Sequence, residues 1–297
     1  MYLTLLAISE PLLASNNRGE NRGNLQTVQT ITCRNQTRTV LSGPAIKFAV
    51  RHSMQDGGCR MWRNIVPVTD LNPVGFVYGE NRASTMKEAI PPTPEGFDDG
   101  IFGWMISSKG SSEHAMKAKG LVEVSDAISC SAFDNNIAFC QGHKAGATVY
   151  ENDEDDGGNR KKKDTTPKPS LAPFHFERHW TRYAFTMTFN LARLKGMGDA
   201  VEAVINSLRC LQVGGAHSSR SASMICNTIA WRFHKSPGQG GMGLILDQQP
   251  DTPVDLSALE ARAANLGISY NVAGMGLDQT VHDGIASILS EIRGKMG

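Results

Sequence analysis

The chain lacks the usual marks of catalysis, of a metal centre and of a membrane span. It contains no G-x-x-x-x-G-K-[ST], no H-E-x-x-H, no G-x-S-x-G and no convincing pair of carboxylates, so the enzyme classes built on those motifs are set aside. The glycine run GQGGMG at 238–243 has no strand-to-helix context for a dinucleotide and reads as a turn. The six cysteines, at 33, 59, 130, 140, 210 and 226, include no C-x-x-C pair and no histidine at zinc-site spacing. Neither a metal nor a disulfide framework is expected from them, and reduced thiols place the protein in the cytoplasm. No apolar run approaches the ~20 residues that cross a bilayer, and MYLTLLAISEPLL has no charged region ahead of its short apolar stretch. No membrane partner and no cofactor are expected.

Charge of one sign is also missing. Lys plus Arg (30) nearly cancels Asp plus Glu (29), so a polyanionic partner has to be met by a local basic surface. Residues 16–51 supply one: Arg18, Arg22, Arg34, Arg38, Lys47 and Arg51 stand against the single acid Glu20. Aromatics are scarce at 7% while glycine reaches 30 residues, which favours turns and loops over a helical bundle. The 297 residues are enough for a sizeable core in one elaborated domain or two small ones.

What is present has a readable order. YLTLLAIS, residues 2–9, is a short apolar central strand closed by Pro11, and a polar basic loop follows it. Ser42 as N-cap and Pro44 in the first turn start a helix over 43–54, with Ile46, Ala49, Val50 and Met54 on one face and Lys47 and Arg51 on the other. Residues 56–120 show no sustained period and read as an irregular insertion. LVEVSDAIS returns to strand, and 151–170 is charged, poor in apolar residues and rich in Pro and Gly, as a loop would be.

RHWTRYAFTMTFNL alternates, with His179, Thr181, Tyr183, Phe185, Met187 and Phe189 on the core side and Trp180 and Arg182 on a face available for work. A helix is predicted from Gly198 to about Leu211, then a strand in MICNTIAWRFH. A helix near 255–266, a strand at ISYNV and a last helix near 278–293 follow. Strand, helix, strand, strand, helix, strand with long inserts is the order of an α+β, ferredoxin-like (RRM-like) split βαβ fold. An open sheet of that type suits single-stranded RNA.

Between the second of these helices and the next strand lies CLQVGGAHSSRSASM, residues 210–224. Gly214 and Gly215 allow close backbone approach and positive φ, and N–H groups of such a turn can converge on an anion. A plain connector has the same local composition. His52, His175, His179 and His217 are the histidines that acid–base cleavage of RNA would draw on, although a lone histidine is more often structural.

The first apolar strand, the Asn/Arg/Gly-rich loop, the helix start in VLSGPAIKFAVRHSM and the late GGAHSSRSASM together resemble the DevR-type RAMP proteins. These are the repeated backbone subunits of the type I CRISPR surveillance complex, Cascade. The resemblance covers roughly 1–54 and 178–235. It implies a palm of residues 1–54 and 178–297, a finger-like insertion over 55–125 and a thumb-like segment over 126–177. It also implies a non-catalytic subunit that binds CRISPR guide RNA in several copies, as a helical filament, and presents it to target DNA. The large subunit, the guide 5′-end-capping subunit and the repeat-processing subunit of Cascade are the implied partners. Carried onto this sequence, Asn16, Arg18, Arg22 and Asn24 become loop contacts to the guide, and Lys47 and Arg51 helix contacts to phosphate. Gly214, Gly215, His217, Ser218 and Arg220 become a second backbone cradle. The alternatives are an RNA-cleaving RAMP subunit of a type III-like complex, acting through Glu20 or His217, and an interaction module that binds no RNA.

Overall fold

A computed structural model describes residues 1–15, 21–22, 25–33, 35–58, 63–66, 75–78, 97–106, 116–134, 136–143, 171–213, 222–237, 240, 242 and 246–296. The principal elements are β1 (Tyr2–Ser9), β2 (Leu12–Ala14), β3 (Thr30–Cys33), β4 (Gln36–Leu41), α1 (Gly43–Asp56), α2 (Phe97–Phe102), β5 (Val122–Val124), β6 (Ala127–Ser129), β7 (Asn136–His143), β8 (Leu171–Thr181), β9 (Tyr183–Asn190), α3 (Gly198–Ser207), β10 (Cys226–His234), α4 (Ser257–Leu266), β11 (Asn271–Gly274) and α5 (Val281–Met296). The protein is a mixed α+β structure with antiparallel sheets. Among the described residues no helix is long and apolar enough to cross a membrane.

The main sheet has eight strands in the order β11-β10-β1-β9-β6-β4-β3, with β5 also paired to β9. β1 is central, antiparallel to β9 on one side and to β10 on the other, so Leu5 lies opposite both Met187 and Trp231. Successive side chains point to opposite faces. Leu3, Leu5 and Ala7 therefore join Phe185, Met187, Phe189, Ile229 and Trp231 in the larger core. That core is completed by Ile46, Val50 and Met54 of α1, Val201, Val204 and Ile205 of α3, and Ile285, Ile288 and Ile292 of α5. Leu6 and Ile8 face the other way, against Ala184, Ala230, Met242, Leu246 and Leu259. A strand covered on both faces reads as an almost unbroken apolar run, and β1 does.

Helix α1 begins where the sequence predicts. The Ser42 hydroxyl accepts the Ala45 N–H at 3.4 Å, and the Asp126 carboxylate accepts the Gly43 N–H at 2.7 Å. A carboxylate at this end also complements the helix dipole. Gly43 is fixed by space: a Cβ there would stand 2.7 Å from the Val124 carbonyl oxygen, because β5 crosses directly over the helix start. Helix α3 ends at Ser207, short of the predicted Leu211. The N–H groups of Leu208, Arg209 and Cys210 bond three residues back, to Ile205, Asn206 and Ser207, at 3.1–3.2 Å. That tightened turn closes the helix while Leu208 and Leu211 stay buried.

The alternating stretch 178–191 is two strands. At Arg182 the chain turns, and the Tyr183 N–H donates to the Ser9 hydroxyl at 2.9 Å. β9 stays in the main sheet, while β8 pairs with β7, β2 and the short strand Leu25–Gln26 in a second sheet. Within the regions read as insertions, β5 and β6 pair with β9 and α2 buries Ile101 and Phe102 in the main core. Replacing Gly43 by alanine forces α1 away from the Val124 carbonyl. We expect a loss of about 2 kcal/mol, read as a lower urea midpoint with unchanged slope; a wild-type midpoint would refute the packing argument.

Candidate nucleic-acid interface and an open polar cleft

Asn16, Arg18, Asn24, Gly214, Gly215, His217, Ser218 and Arg220 lie outside the described residues, as does Glu20. Their flanks are described and they converge. The first loop leaves from the end of β2. The glycine-rich loop is bracketed by two short strands, with Val213 opposite Ala222 and Gln212 opposite Ser223. One of these strands packs near α1 and the other near β2, and Ser53 Oγ of α1 lies 3.3 Å from Cys210 Sγ. The fold therefore brings the roots of both loops to the flank of α1. The backbone of Arg22 lies in a two-residue strand that joins the second sheet through Leu25.

Lys47 and Arg51 sit one turn apart on α1. Lys47 is half-buried, and burial, with Arg51 beside it, lowers its amine below the ordinary lysine value; Glu123 opposes the shift. Arg51 places its guanidinium 5.2 Å from the centre of the Phe102 ring and donates to the Gly103 carbonyl at 3.4 Å. This cation is anchored against the segment that follows α2.

Other sequence expectations are relocated. Arg38, counted in the basic stretch, is 2% exposed and spends its guanidinium on the carbonyls of Ser129 (2.8 Å) and Leu246 (2.9 Å) and on Asp247 (3.1 Å). Arg182 is buried, not on a working face: it donates to the carbonyls of Ser9 (3.3 Å) and Thr252 (3.2 Å). Trp180 stays 44% exposed but its indole N–H is held by Asp251 at 3.2 Å. Alternation alone assigned both to one open face; the turn at Arg182 and the chain around 246–252 removed half of it.

His179 is a core residue. Its Nε2–H donates to the Ala132 carbonyl at 3.0 Å, so Nδ1 accepts from Thr39 (2.8 Å), whose oxygen accepts in turn from the Tyr183 hydroxyl (2.7 Å). Burial pushes the imidazole below its ordinary value, against the pull of Asp134 and the Ala132 bond. It is sealed from substrate. His175 is exposed and packs on Phe139, ring centres 5.3 Å apart. His52 is exposed and lies 4.0 Å from Asp56. Among the described residues no cluster of metal-ligating side chains occurs.

One feature was missed by motif reading. At the Tyr2 end of the main sheet, on the face away from α1, α3 and α5, lies an open cleft of about 410 Å³ lined by Thr4, Thr186, Thr188 and Asn190. The signal was in β1 itself, where the side facing α4 reads Tyr2, Thr4, Leu6, Ile8 and changes from polar to apolar half-way along.

A family model described as CRISPR-associated negative auto-regulator DevR/Csa2 matches residues 12–199. The chain belongs to the DevR/Csa2 family. A relative from Myxococcus xanthus (strain DK1622), "CRISPR-associated protein Cas7/Cst2/DevR", is 26% identical over 218 residues, 69% of this chain. The match spans 62% of that relative's length. Two solved structures share the fold at 14% identity and cover 98% of this chain: a "CRISPR RNA-guided surveillance complex, pre-nicking" with TM-score 0.57, covered over 100% of its chain, and a "CRISPR RNA-guided surveillance complex" with TM-score 0.55, covered over 99%. In this DevR/Csa2 family chain the matched region runs from β2 to the start of α3, and so includes α1 and the second sheet.

His179 gives the protein a pH dependence. Unfolded, its imidazole titrates near its ordinary value of about 6.5; folded, it titrates lower. Between the two the unfolded chain binds the extra proton, so stability is full above that ordinary value and falls as pH drops toward the folded one. His234 is shifted in the same direction, chiefly by burial. We expect the melting temperature to fall on acidification from neutral pH and His179→Gln to flatten the dependence, leaving the His234 share. An unchanged slope in the variant would place the titration elsewhere.

Proposed function

We propose that this protein is a backbone subunit of a CRISPR RNA-guided complex that binds guide RNA in several copies and presents it for pairing with target DNA. The observation that carries the reading is the convergence at α1: the helix with Lys47 and Arg51, and the roots of the basic and the glycine-rich loops, meet on one flank. RNA is bound mainly through its phosphates, and small residues beside cations let a backbone approach closely. Asn16, Arg18, Arg22 and Asn24 on one side, and Gly214, Gly215, His217, Ser218 and Arg220 on the other, form the contact set in this reading. The match over nearly the whole chain to subunits of CRISPR RNA-guided surveillance complexes supports it.

The order β10-β1-β9, with β5 and β6 both paired to the far edge of β9, supports a ferredoxin-like palm. In the same reading 55–125 is the finger-like insertion, 126–177 the thumb-like segment that contains most of the β7–β8 hairpin, and further copies of the chain and the other Cascade subunits are its partners in the cytoplasm. The subunit is non-catalytic here: His179 is sealed in the core and Glu20 stands among basic neighbours.

Co-expression with a CRISPR array and its neighbouring genes should yield a multi-copy particle holding one discrete repeat-spacer RNA. Purification clean of RNA would overturn the proposal, and RNA cleavage lost on Glu20→Ala would replace it with the nuclease reading. For the RNA-binding step, log K should fall with log salt by about 0.7 per phosphate neutralised, and Lys47→Ala with Arg51→Ala should reduce that slope by about 1.4. An unchanged slope would move the interface off α1.

A further inference from the structure

The cleft at the Tyr2 end of the sheet is a built site rather than a gap in coverage. Along one face of β1, β9 and β10, the apolar half is sealed by Met242, Leu246 and α4, while among the described residues the half around Thr4 and Thr188 stays open. Its volume of about 410 Å³ lies in the range of small-ligand sites and is too small for a duplex. Gly240 closes against it so tightly that a Cβ there would stand 2.6 Å from Thr4 Oγ1. No side chain from that position can intrude.

The floor has a fixed hydrogen-bond direction. His234 Nδ1 lies 2.8 Å from the Ser236 carbonyl oxygen, which can only accept, so that nitrogen carries the proton. Burial favours the neutral ring, and Nε2 then accepts the Thr4 hydroxyl at 2.9 Å. Thr4, 4% exposed, has given up its proton and accepts from Thr188 at 3.0 Å. The chain ends at Thr188, whose proton points inward and whose oxygen offers only lone pairs to the cleft. Thr188 is the direct cross-strand partner of Glu123, so a carboxylate stands beside it on the same face. Two adjacent acceptors call for two adjacent donors. Lys119, ion-paired to Glu123, and Arg193 stand at the exposed rim and leave it net positive.

We propose that this cleft binds a nucleoside 5′-phosphate with a free 2′,3′-diol, the diol donating to Glu123 and Thr188 and the phosphate meeting Arg193 and Lys119. Two donors on neighbouring carbons belong to ribose and not to deoxyribose, and a phosphate alone meets the rim cations without supplying that pair of donors to Glu123 and Thr188. A free diol occurs on a mononucleotide and on the 3′-terminal residue of an RNA. An internal nucleotide of a strand lacks it, so the site is separate from the guide track along α1 and goes beyond the function proposed above.

Titration of the 297-residue chain with 5′-AMP, 2′-deoxy-5′-AMP and inorganic phosphate, followed by calorimetry, tests it. AMP should bind, the deoxy analogue about tenfold or more weakly, and phosphate more weakly again. Thr188→Val and Glu123→Gln should each lower AMP affinity about tenfold and erase the ribose preference. Arg193→Ala, on an exposed turn whose loss leaves the core intact, should weaken AMP and deoxy-AMP alike. Equal affinity for AMP and its deoxy analogue, wild-type affinity in Thr188→Val, or no AMP binding at millimolar concentration would each overturn the proposal. Recovery of guide RNA by co-purification is read separately, so failure here is distinct from failure of the guide-binding reading. Short oligoribonucleotides ending in a 3′-hydroxyl or a 3′-phosphate separate the two sources: tighter binding of the hydroxyl form than of AMP assigns an RNA terminus, and binding no tighter than AMP assigns a free nucleotide.

Discussion

Everything in the structure is referred to β1. Its backbone is paired on both edges, to β9 and β10, and its side chains are buried on both faces over most of its length. A strand with no free edge, open to water only at its Tyr2 end, ties together segments far apart in the chain. The helices α1, α3 and α5 can form one layer only because Leu3, Leu5 and Ala7 give them a common floor. Burying a side chain such as Leu5 contributes roughly 2 kcal/mol, and the near-continuous apolar run of β1 multiplies that along one strand.

Two buried arginines extend the same frame to the segment after β10. Arg38 joins β4 to the carbonyls of Ser129 and Leu246, and Arg182 joins the β8–β9 turn to Ser9 and Thr252. A buried guanidinium is tolerated when its N–H groups meet acceptors, and here carbonyl oxygens take the Nη groups of both arginines without a second buried charge, while the two Nε atoms meet no acceptor among the described residues. These clamps hold the 246–252 segment across the sheet's second face, which α4 then covers. Among the described residues the polar end of that face remains open, where Thr4, Thr186 and Thr188 offer little apolar surface to cover. Cleft and covering segment follow from one change of polarity along the strands.

The basic character of the first fifty residues divides in the same way. Arg38 is consumed by the fold, Arg51 is braced on Phe102, and Lys47 is half-buried beside Glu123. A cation in the sequence is therefore not yet a cation on a surface.

Much of the frame was legible in the residues. The apolar run of 2–9, the Ser-Gly-Pro start of α1, the apolar stripe of α3 and the alternation of 183–190 each express a local period or a local cap, and such signals need no partner to be read. Tertiary structure alone decided the rest. That Gly43 must be glycine depends on β5 crossing it at Val124, far along the sequence; that the strand through 178–191 breaks at Arg182 depends on Ser9; that His179 is sealed depends on Thr39, Ala132 and Tyr183. The cleft depends on three strands meeting in one register, which puts Thr4, Thr188 and Glu123 on a single face. Sequence determines what a residue offers within its own element, whereas long-range pairing decides which offers are spent on the fold and which are left for a ligand.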